Sequence, residues 1–222
     1  NYNVKSINYK LMEMSHLMKN LFVVDLNNLA SKFGNQNIAD PKIYITTDTI
    51  FSIEFIPQLA KLIMDVLLPF TGKFKQCVIL DLDNTTWGGI IGDDGIENIQ
   101  IGDLGIGKAF TEFQYWIKQL KERGIILAVC SKNTEHIAKE PFEKHPDMVL
   151  RLDDISVFVA NWENKADNIR YIQSILNIGF DSMVFLDDNP FERNIVRENI
   201  PQICVPELPE DPAEYLPYLK SQ

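Results

Sequence analysis

The sequence predicts an α/β fold: a doubly wound parallel β-sheet with helices on both faces and a site at one edge. Short apolar runs alternate with helical segments from residue 77 onward, a pattern typical of parallel sheets. Polar residues follow directly after three of these runs, where ligands bind in such sheets. Because 45% of the 222 residues are apolar, we expect a core of good size.

The first 72 residues are predicted to form a partial α/β segment. They open on a helix with no strand before it, as in the later half of an α/β unit. The stretch 71–76 is the expected boundary, which gives domains at 1–72 and 73–222. Apolar spacing and breakers such as Gly34 and Pro69 predict helices at 3–20, 27–33 and 55–68, and strands at 21–26 and 42–46.

Periodicity and end signals define the elements of the second domain. Helix 108–123 carries apolar residues on one face and ends at Gly124, a typical C-cap. Asn189 and Pro190 are typical of a helix start. The predicted strands are 77–82, 125–130, 148–150, 157–159, 182–186 and 203–205, and the predicted helices are 108–123, 134–140, 164–176 and 190–199.

A Gly-rich stretch separates the first of these strands from helix 108–123. Within it, Asp94-Gly95 is typical of a tight hairpin turn. The stretch has room for a small hairpin flap but not for a large cap domain. We therefore expect an open site, which suits a bulky substrate or one covered by another domain or partner.

Composition excludes several classes of function. The net charge of −10 argues against nucleic acid or an anionic membrane as the main partner. No apolar stretch is long enough to cross a bilayer. The three cysteines lack the spacing of a disulfide framework, which favours reduced thiols and a cytoplasmic location.

Two carboxylates follow the strand 77–82. Asp81 and Asp83 are two residues apart, so in an extended chain both point to the same side. Two carboxylates this close repel each other unless a cation lies between them or one is protonated. The pair predicts a metal-dependent site with one nucleophilic and one acid/base carboxylate. The alternative is a pair of turn residues.

Three further polar clusters follow in order. Ser131 ends the strand 125–130, Lys165 begins the helix 164–176, and Asp187-Asp188 follows the strand 182–186. Each cluster alone is a weak signal. Because strand ends of a parallel sheet meet at one edge, the clusters are expected to converge with Asp81.

Over residues 77–205 this set of motifs resembles the haloacid dehalogenase superfamily. Longer segments resemble its FkbH-like subfamily, with one departure at Thr86, where that subfamily usually has Leu. These segments are 81–89 with 91–95, 130–133, 161–165 and 185–193. The resemblance implies a Rossmannoid fold and Mg²⁺-dependent phosphomonoester hydrolysis. It also implies that 1–70 is the last part of an SGNH-hydrolase-like domain without its nucleophile, and that longer members carry further domains.

The resemblance also implies a role for each catalytic residue. Asp81 would attack phosphorus and form an aspartyl-phosphate, and Asp83 would serve as general acid and then as general base. Ser131 and Lys165 would hold the phosphoryl oxygens. Asp188 would bind Mg²⁺ together with the Asp81 carboxylate and the Asp83 backbone carbonyl.

Three residues are expected around this centre. Asp187 is expected to accept a hydrogen bond from Lys165, and Asn133 to lie beside the reacting groups. Trp87 is expected to line the entrance. The partner would be a phosphorylated substrate, either linked to a carrier protein or related to a sugar.

Two alternatives to a phosphatase are a carrier-protein transferase and a receiver domain. In a glyceryl or acyl transferase-phosphatase that loads a carrier protein from a phosphorylated glycerate, Cys130 would accept the acyl group. Otherwise Cys130 is a buried strand residue. A phosphoryl-accepting receiver domain would carry its acidic pair first and its Lys last. Because this chain has the opposite order, that alternative is rejected.

Overall fold

The computed structural model describes residues 2–18, 20–71 and 74–221, without the side chains of residues 69 and 71. The chain divides into two compact units, Asn1–Phe74 and Lys75–Gln222. The predicted boundary between residues 72 and 73 lies outside the described residues.

In its described part, the first unit contains helices and no strand. Its helices are α1 (Tyr2–Leu17), α2 (Leu26–Phe33), α3 (Pro41–Thr47) and α4 (Ile56–Leu67). The helical predictions are confirmed, but both predicted strands are wrong. Residues 21–25 are irregular and meet no described strand with which they could pair.

The second wrong strand, 42–46, is instead the helix α3. Its alternating β-branched residues favour a strand, but the helix start signal is stronger. The Asp40 carboxylate accepts hydrogen bonds from the backbone N–H groups of Lys42 at 2.8 Å and Ile43 at 3.4 Å. Pro41 occupies the first turn, where its missing N–H costs nothing.

The second unit contains the predicted parallel sheet. Its four strands lie in the order β3-β2-β1-β4 and are all parallel; they are β1 (Cys77–Leu80), β2 (Ile126–Ser131), β3 (Val157–Ala160) and β4 (Met183–Leu186). The doubly wound α/β fold is thereby confirmed. Two predicted short strands are wrong: 148–150 is irregular, and Cys204 makes only an isolated bridge with Val184.

Helices cover the sheet on both faces. Alternate residues of β1 enter two different apolar clusters, with Val78 and Leu80 in one and Cys77 and Ile79 in the other. This alternation explains why the strand is apolar at every position. The helices of this unit are α5 (Ile91–Asp94), α6 (Gly107–Glu122), α7 (Glu135–Lys144), α8 (Lys165–Leu176), α9 (Pro190–Asn199) and α10 (Tyr215–Ser221).

The segment between β1 and α6 forms a small flap. Gly88 and Gln100 close it through an antiparallel bridge, with N–H to carbonyl distances of 3.0 and 2.7 Å. The tight turn predicted at Asp94-Gly95 is absent. The helical turn α5 takes its place, because the Asp94 carboxylate accepts a hydrogen bond from the backbone N–H of Ile90 at 2.7 Å. Among the described helices, none is both long and apolar enough to span a membrane.

Candidate active site

The carboxyl ends of the strands meet at one cavity of about 360 Å³. Asp81 follows β1, Ser131 ends β2, and Lys165 begins α8. Residues from all four sequence motifs line this cavity; they include Asp81, Asp83, Ser131, Lys165 and Asp188. The parallel topology therefore brings together side chains that lie far apart in the sequence.

Lys165 is the central cation of the site. Only 3% of its side chain is exposed, and its Nζ lies 2.8 Å from Asp81 Oδ1 and 2.6 Å from Asp187 Oδ2. Burial would lower the pKa of Lys165, but the Asp81 and Asp187 carboxylates outweigh burial and raise that pKa overall. Lys165 therefore stays charged and holds both carboxylates in place.

Three carboxylates form a group able to hold a metal ion. One oxygen from each of Asp81, Asp187 and Asp188 lies within 4.8 Å of the others. Burial, and then the Asp81 charge, raise the pKa of Asp187 to about 7 and also raise the pKa of Asp188. One lysine does not balance the charge of two buried carboxylates and one half-buried carboxylate. A divalent cation with a preference for hard oxygen ligands, such as Mg²⁺, fits this donor set.

The two acidic residues after β4 have different partners. Both oxygens of Asp187 are engaged, Oδ2 with Lys165 and Oδ1 with the backbone N–H of Asn189 at 2.8 Å. Asp188 Oδ1 accepts a hydrogen bond from Thr85 Oγ1 at 3.1 Å. Among the other described residues, none donates a hydrogen bond to Asp188 Oδ2, so Asp188 has the freer oxygen for a metal.

Asp83 has a different environment from Asp81. Its Oδ1 accepts two hydrogen bonds, from Trp87 Nε1 and the backbone N–H of Ile91, both at 3.0 Å. Its Oδ2 accepts one, from Asn133 Nδ2 at 3.1 Å. Thr134 N–H donates to Asn133 Oδ1 at 2.9 Å, which fixes the orientation of that amide. Burial raises the pKa of Asp83, and Oδ2 has the lone pair left for a proton.

Trp87 does not line the entrance, contrary to prediction. Its ring is fully buried and packs edge-on against Phe142, with centroids 5.9 Å apart. Its contribution to the site is the N–H bond to Asp83. The tryptophan at the rim of the cavity is Trp162, which is 72% exposed. Its position in the loop between β3 and α8 is a signal that sequence reasoning could have used.

Sequence reasoning also missed three groups that fix the site. Thr85 and Asp188 bind each other, and Thr86 Oγ1 donates to the Asp81 carbonyl at 2.6 Å. Arg193 Nη1 donates to the carbonyls of Asp187 at 2.8 Å and Asp188 at 2.7 Å. Thr85 and Thr86 lie inside the segment 81–89, and Arg193 lies inside the segment 185–193. This location was the only signal for their role that the sequence offered.

Cys130 has the character of a buried strand residue. It is fully buried, and burial raises the pKa of its thiol to about 12. Its Sγ donates to the Lys165 carbonyl at 3.7 Å. A thiol with such a high pKa is a poor nucleophile, so this residue gives no support to acyl transfer.

Comparison with known proteins adds two matches. Residues 1–68 match the family model described as the FkbH N-terminal domain. A solved structure of the N-terminal part of a Bacteroides fragilis protein is 60% identical, with a TM-score of 0.88. That structure contains a phosphatase domain and is complexed with Mg. The match covers 99% of this chain and 59% of that chain, so this chain spans less than two thirds of its relative.

More distant matches share part of the chain. A HAD family enzyme from Bacteroides thetaiotaomicron is 13% identical with a TM-score of 0.42, over 62% of this chain and 95% of that one. A likeness this distant says nothing about substrate or mechanism. Among curated proteins, none matches the chain at a significant level.

The FkbH N-terminal match lies within the first unit, whereas the Bacteroides fragilis match extends over both units. The chain is therefore similar to FkbH proteins over its first 68 residues, and over nearly its whole length to a structure that contains a phosphatase domain.

Proposed function

We propose that the chain is a Mg²⁺-dependent phosphomonoester hydrolase that works through an aspartyl-phosphate on Asp81. One observation carries this proposal: two carboxylates face one cavity with opposite environments. Asp81 is paired with the Lys165 cation, whereas Asp83 is held by neutral N–H donors and has a raised pKa. Such a difference is what a nucleophile and a general acid require.

In the first step, an Asp81 carboxylate oxygen attacks phosphorus and the bond from phosphorus to the leaving oxygen breaks. Asp83 donates its proton to that oxygen, so an alcohol departs and Asp83 becomes a carboxylate. A positioned acid contributes roughly 10²–10⁴-fold to the rate. Lys165 and the Ser131 hydroxyl stabilise the negative phosphoryl oxygens.

In the second step, water attacks the phosphorus of the aspartyl-phosphate. Asp83 accepts a proton from that water, and the bond from phosphorus to Asp81 breaks. Phosphate leaves, Asp81 is again a carboxylate and Asp83 is again protonated. Two displacements with lower barriers thereby replace one displacement with a high barrier.

Asp81, Asp188 and the backbone carbonyl of Asp83 are the residues that would hold Mg²⁺. The bound ion supplies positive charge that offsets the repulsion between a carboxylate and a phosphate ester. The similar Bacteroides fragilis structure is complexed with Mg, which supports Mg²⁺ as the ion. Asp187 keeps Lys165 in place and so takes no direct part in the displacement.

The test measures phosphate release from a panel of monoesters, with Mg²⁺ and with a chelator. Asp81→Asn should abolish release, and Asp83→Asn should lower it by about 10²–10⁴-fold. Asp103→Asn is the matched control, because Asp103 is exposed and outside the cavity. Metal-independent release, or full activity of Asp81→Asn, would contradict the mechanism.

A second measurement detects the covalent intermediate. Phenyl phosphate has a good leaving group that needs little help from an acid. The Asp83→Asn variant should therefore complete the first step faster than the second and accumulate the acyl phosphate. Acid quenching and peptide mass spectrometry should then find the phosphoryl group on Asp81, and a phosphoryl group on another residue would refute the assignment.

A further inference from the structure

A second cavity adjoins the catalytic one on the side of Asp188. Its volume is about 330 Å³, and Asn84 and Asp188 line both cavities. Tyr215, the first residue of α10, lines the second cavity but not the catalytic one. Its ring is buried and packs edge-on against Phe110 and Phe113 of α6, with centroids 6.3 Å from each. The C-terminal helix thus places a tyrosine beside the loop that follows β1.

The Tyr215 hydroxyl holds one peptide unit of that loop. It donates a hydrogen bond to the backbone carbonyl of Asn84 at 3.1 Å, across 131 residues of sequence. The N–H of the same peptide unit belongs to Thr85 and donates to the Leu82 carbonyl at 3.2 Å. Among the residues that the structure describes, Tyr215 is the only donor to the Asn84 carbonyl. The peptide unit before Thr85 is therefore held on both sides, by Leu82 and by Tyr215.

Asn84 has a backbone conformation that needs such support. Its φ of 54° lies in the left-handed region, which is unfavourable for residues with a Cβ, although Asn adopts it more readily than most. Asn84 Oδ1 accepts a hydrogen bond from the Gly89 N–H at 2.9 Å, and the Asn84 N–H donates to the Gly89 carbonyl at 3.3 Å. Both contacts lie within the segment between β1 and α6. The Tyr215 hydroxyl instead ties that segment to another helix.

Thr85 transmits this positioning to Asp188. Its hydroxyl exchanges two hydrogen bonds with Asp188, one with the carboxylate and one with the backbone N–H. Because hydrogen bonds weaken steeply when their geometry departs from the usual range, a shift of the Thr85 backbone would release that carboxylate. In the proposed function Asp188 is a ligand of Mg²⁺, and groups that orient a metal ligand tune the affinity for the metal.

We propose that Tyr215 is a positioning residue for the metal site: its hydroxyl fixes Thr85 and thereby the Asp188 carboxylate that binds Mg²⁺. The inference rests on the proposed function, since it takes Asp188 to be a metal ligand. Because Tyr215 lies outside the catalytic cavity, it acts on the metal only through these contacts. The C-terminal helix thus contributes to the affinity for Mg²⁺.

The variant Tyr215→Phe removes the hydroxyl and keeps the ring contacts with α6. Water in the second cavity can then donate to the Asn84 carbonyl, so the carbonyl stays satisfied while the link to α10 is lost. We expect the dissociation constant for Mg²⁺ to rise about tenfold. Calorimetric titration of the protein with Mg²⁺ alone measures this constant. The urea midpoint of unfolding should change little.

Tyr218→Phe is the matched control, because Tyr218 lies in the same helix and lines neither cavity. It should leave the dissociation constant for Mg²⁺ unchanged. An equal rise of that constant in both variants would overturn the inference. A lower unfolding midpoint of Tyr215→Phe with unchanged Mg²⁺ affinity would also overturn it, because Tyr215 would then serve the fold alone.

A double-mutant cycle tests whether Tyr215 acts through Thr85. Thr85→Val already removes both hydrogen bonds to Asp188, so Tyr215→Phe should raise the Mg²⁺ dissociation constant less than about twofold in that background. A further rise as large as the one in the wild-type background would show that Tyr215 acts by another route. That result would overturn the inference.

Failure of the two proposals can be told apart, because the Mg²⁺ titration needs no substrate. If no monoester releases phosphate in the presence of Mg²⁺, the proposed function fails, and the Mg²⁺ affinity of Tyr215→Phe still decides the inference. If phosphate is released and Tyr215→Phe binds Mg²⁺ as tightly as the wild-type protein, only the inference fails.

Discussion

Thr85 and Asp188 lie 103 residues apart in the sequence and bind each other twice. Thr85 Oγ1 donates to Asp188 Oδ1 at 3.1 Å and accepts from the Asp188 backbone N–H at 2.9 Å. This double contact joins the loop after β1 to the loop after β4. It fixes the carboxylate that we assign to Mg²⁺, while Oδ2 remains free.

Loss of the Thr85 hydroxyl should weaken metal binding. Thr85→Val keeps the shape of the side chain, so the concentration of Mg²⁺ for half-maximal activity should rise about 10–100-fold. Thr85→Ser should restore most of the affinity. Thr111→Val is the control, since Thr111 is buried but bonds only to the backbone of Gly102 and Gly107. An unchanged Mg²⁺ requirement in Thr85→Val would remove Asp188 from the metal site.

The pH dependence should report the state of Asp83. Because the first step needs protonated Asp83, kcat should fall as pH rises through the pKa of that group. Burial raises the pKa of Asp83, while the Trp87 N–H lowers it by stabilising the carboxylate. Removal of this donor therefore raises the pKa further.

Trp87→Phe should accordingly move the alkaline fall of kcat to higher pH. Trp116→Phe is the control, because Trp116 lies outside the cavity. If the alkaline fall stays in place in Trp87→Phe, a group other than Asp83 provides the proton.

Arg193 should stabilise the loop after β4 through its hydrogen bonds to the carbonyls of Asp187 and Asp188. Arg193→Gln leaves the Asp187 and Asp188 carbonyls without their donor, which should lower the free energy of unfolding by about 1–3 kcal/mol. Arg193 also pairs with Glu207, which is 61% exposed. Glu207→Gln should therefore cost at most about 1 kcal/mol. Urea unfolding measures the free energy of unfolding of both variants. An equal loss of stability in both would assign the stabilisation to the ion pair between Arg193 and Glu207 and not to the carbonyl contacts.

Cys130 should be dispensable for hydrolysis. Cys130→Ala should keep kcat within about threefold and lower the free energy of unfolding by about 1 kcal/mol. In the folded protein, iodoacetamide should modify the half-buried Cys204 before Cys130, as peptide mass spectrometry can record. Rapid modification of Cys130, or loss of activity in Cys130→Ala, would reopen the acyl-transfer alternative.

The sequence was sufficient for the four strands of the sheet. Each is an apolar run bounded by polar residues, and burial on both faces makes that signal strong. It was insufficient in the first unit, where 42–46 has the composition of a strand but forms α3. There the Asp40 cap and Pro41 start a helix at residues where the composition favours a strand. Residues 21–25 were also predicted to be a strand, but they meet no described strand with which they could pair.

The sequence by itself predicted which residues would line the candidate site, because residue type and motif order depend only on the chain. The tertiary structure decided the partners of each oxygen: Lys165 on Asp187, Thr85 on Asp188, and Trp87 on Asp83. It also placed Trp87 in the core and Trp162 at the rim. These partners and positions depend on the crossover connections of the parallel sheet, which bring strand ends that are distant in sequence within hydrogen-bond distance. Local sequence patterns contain no information on such distances.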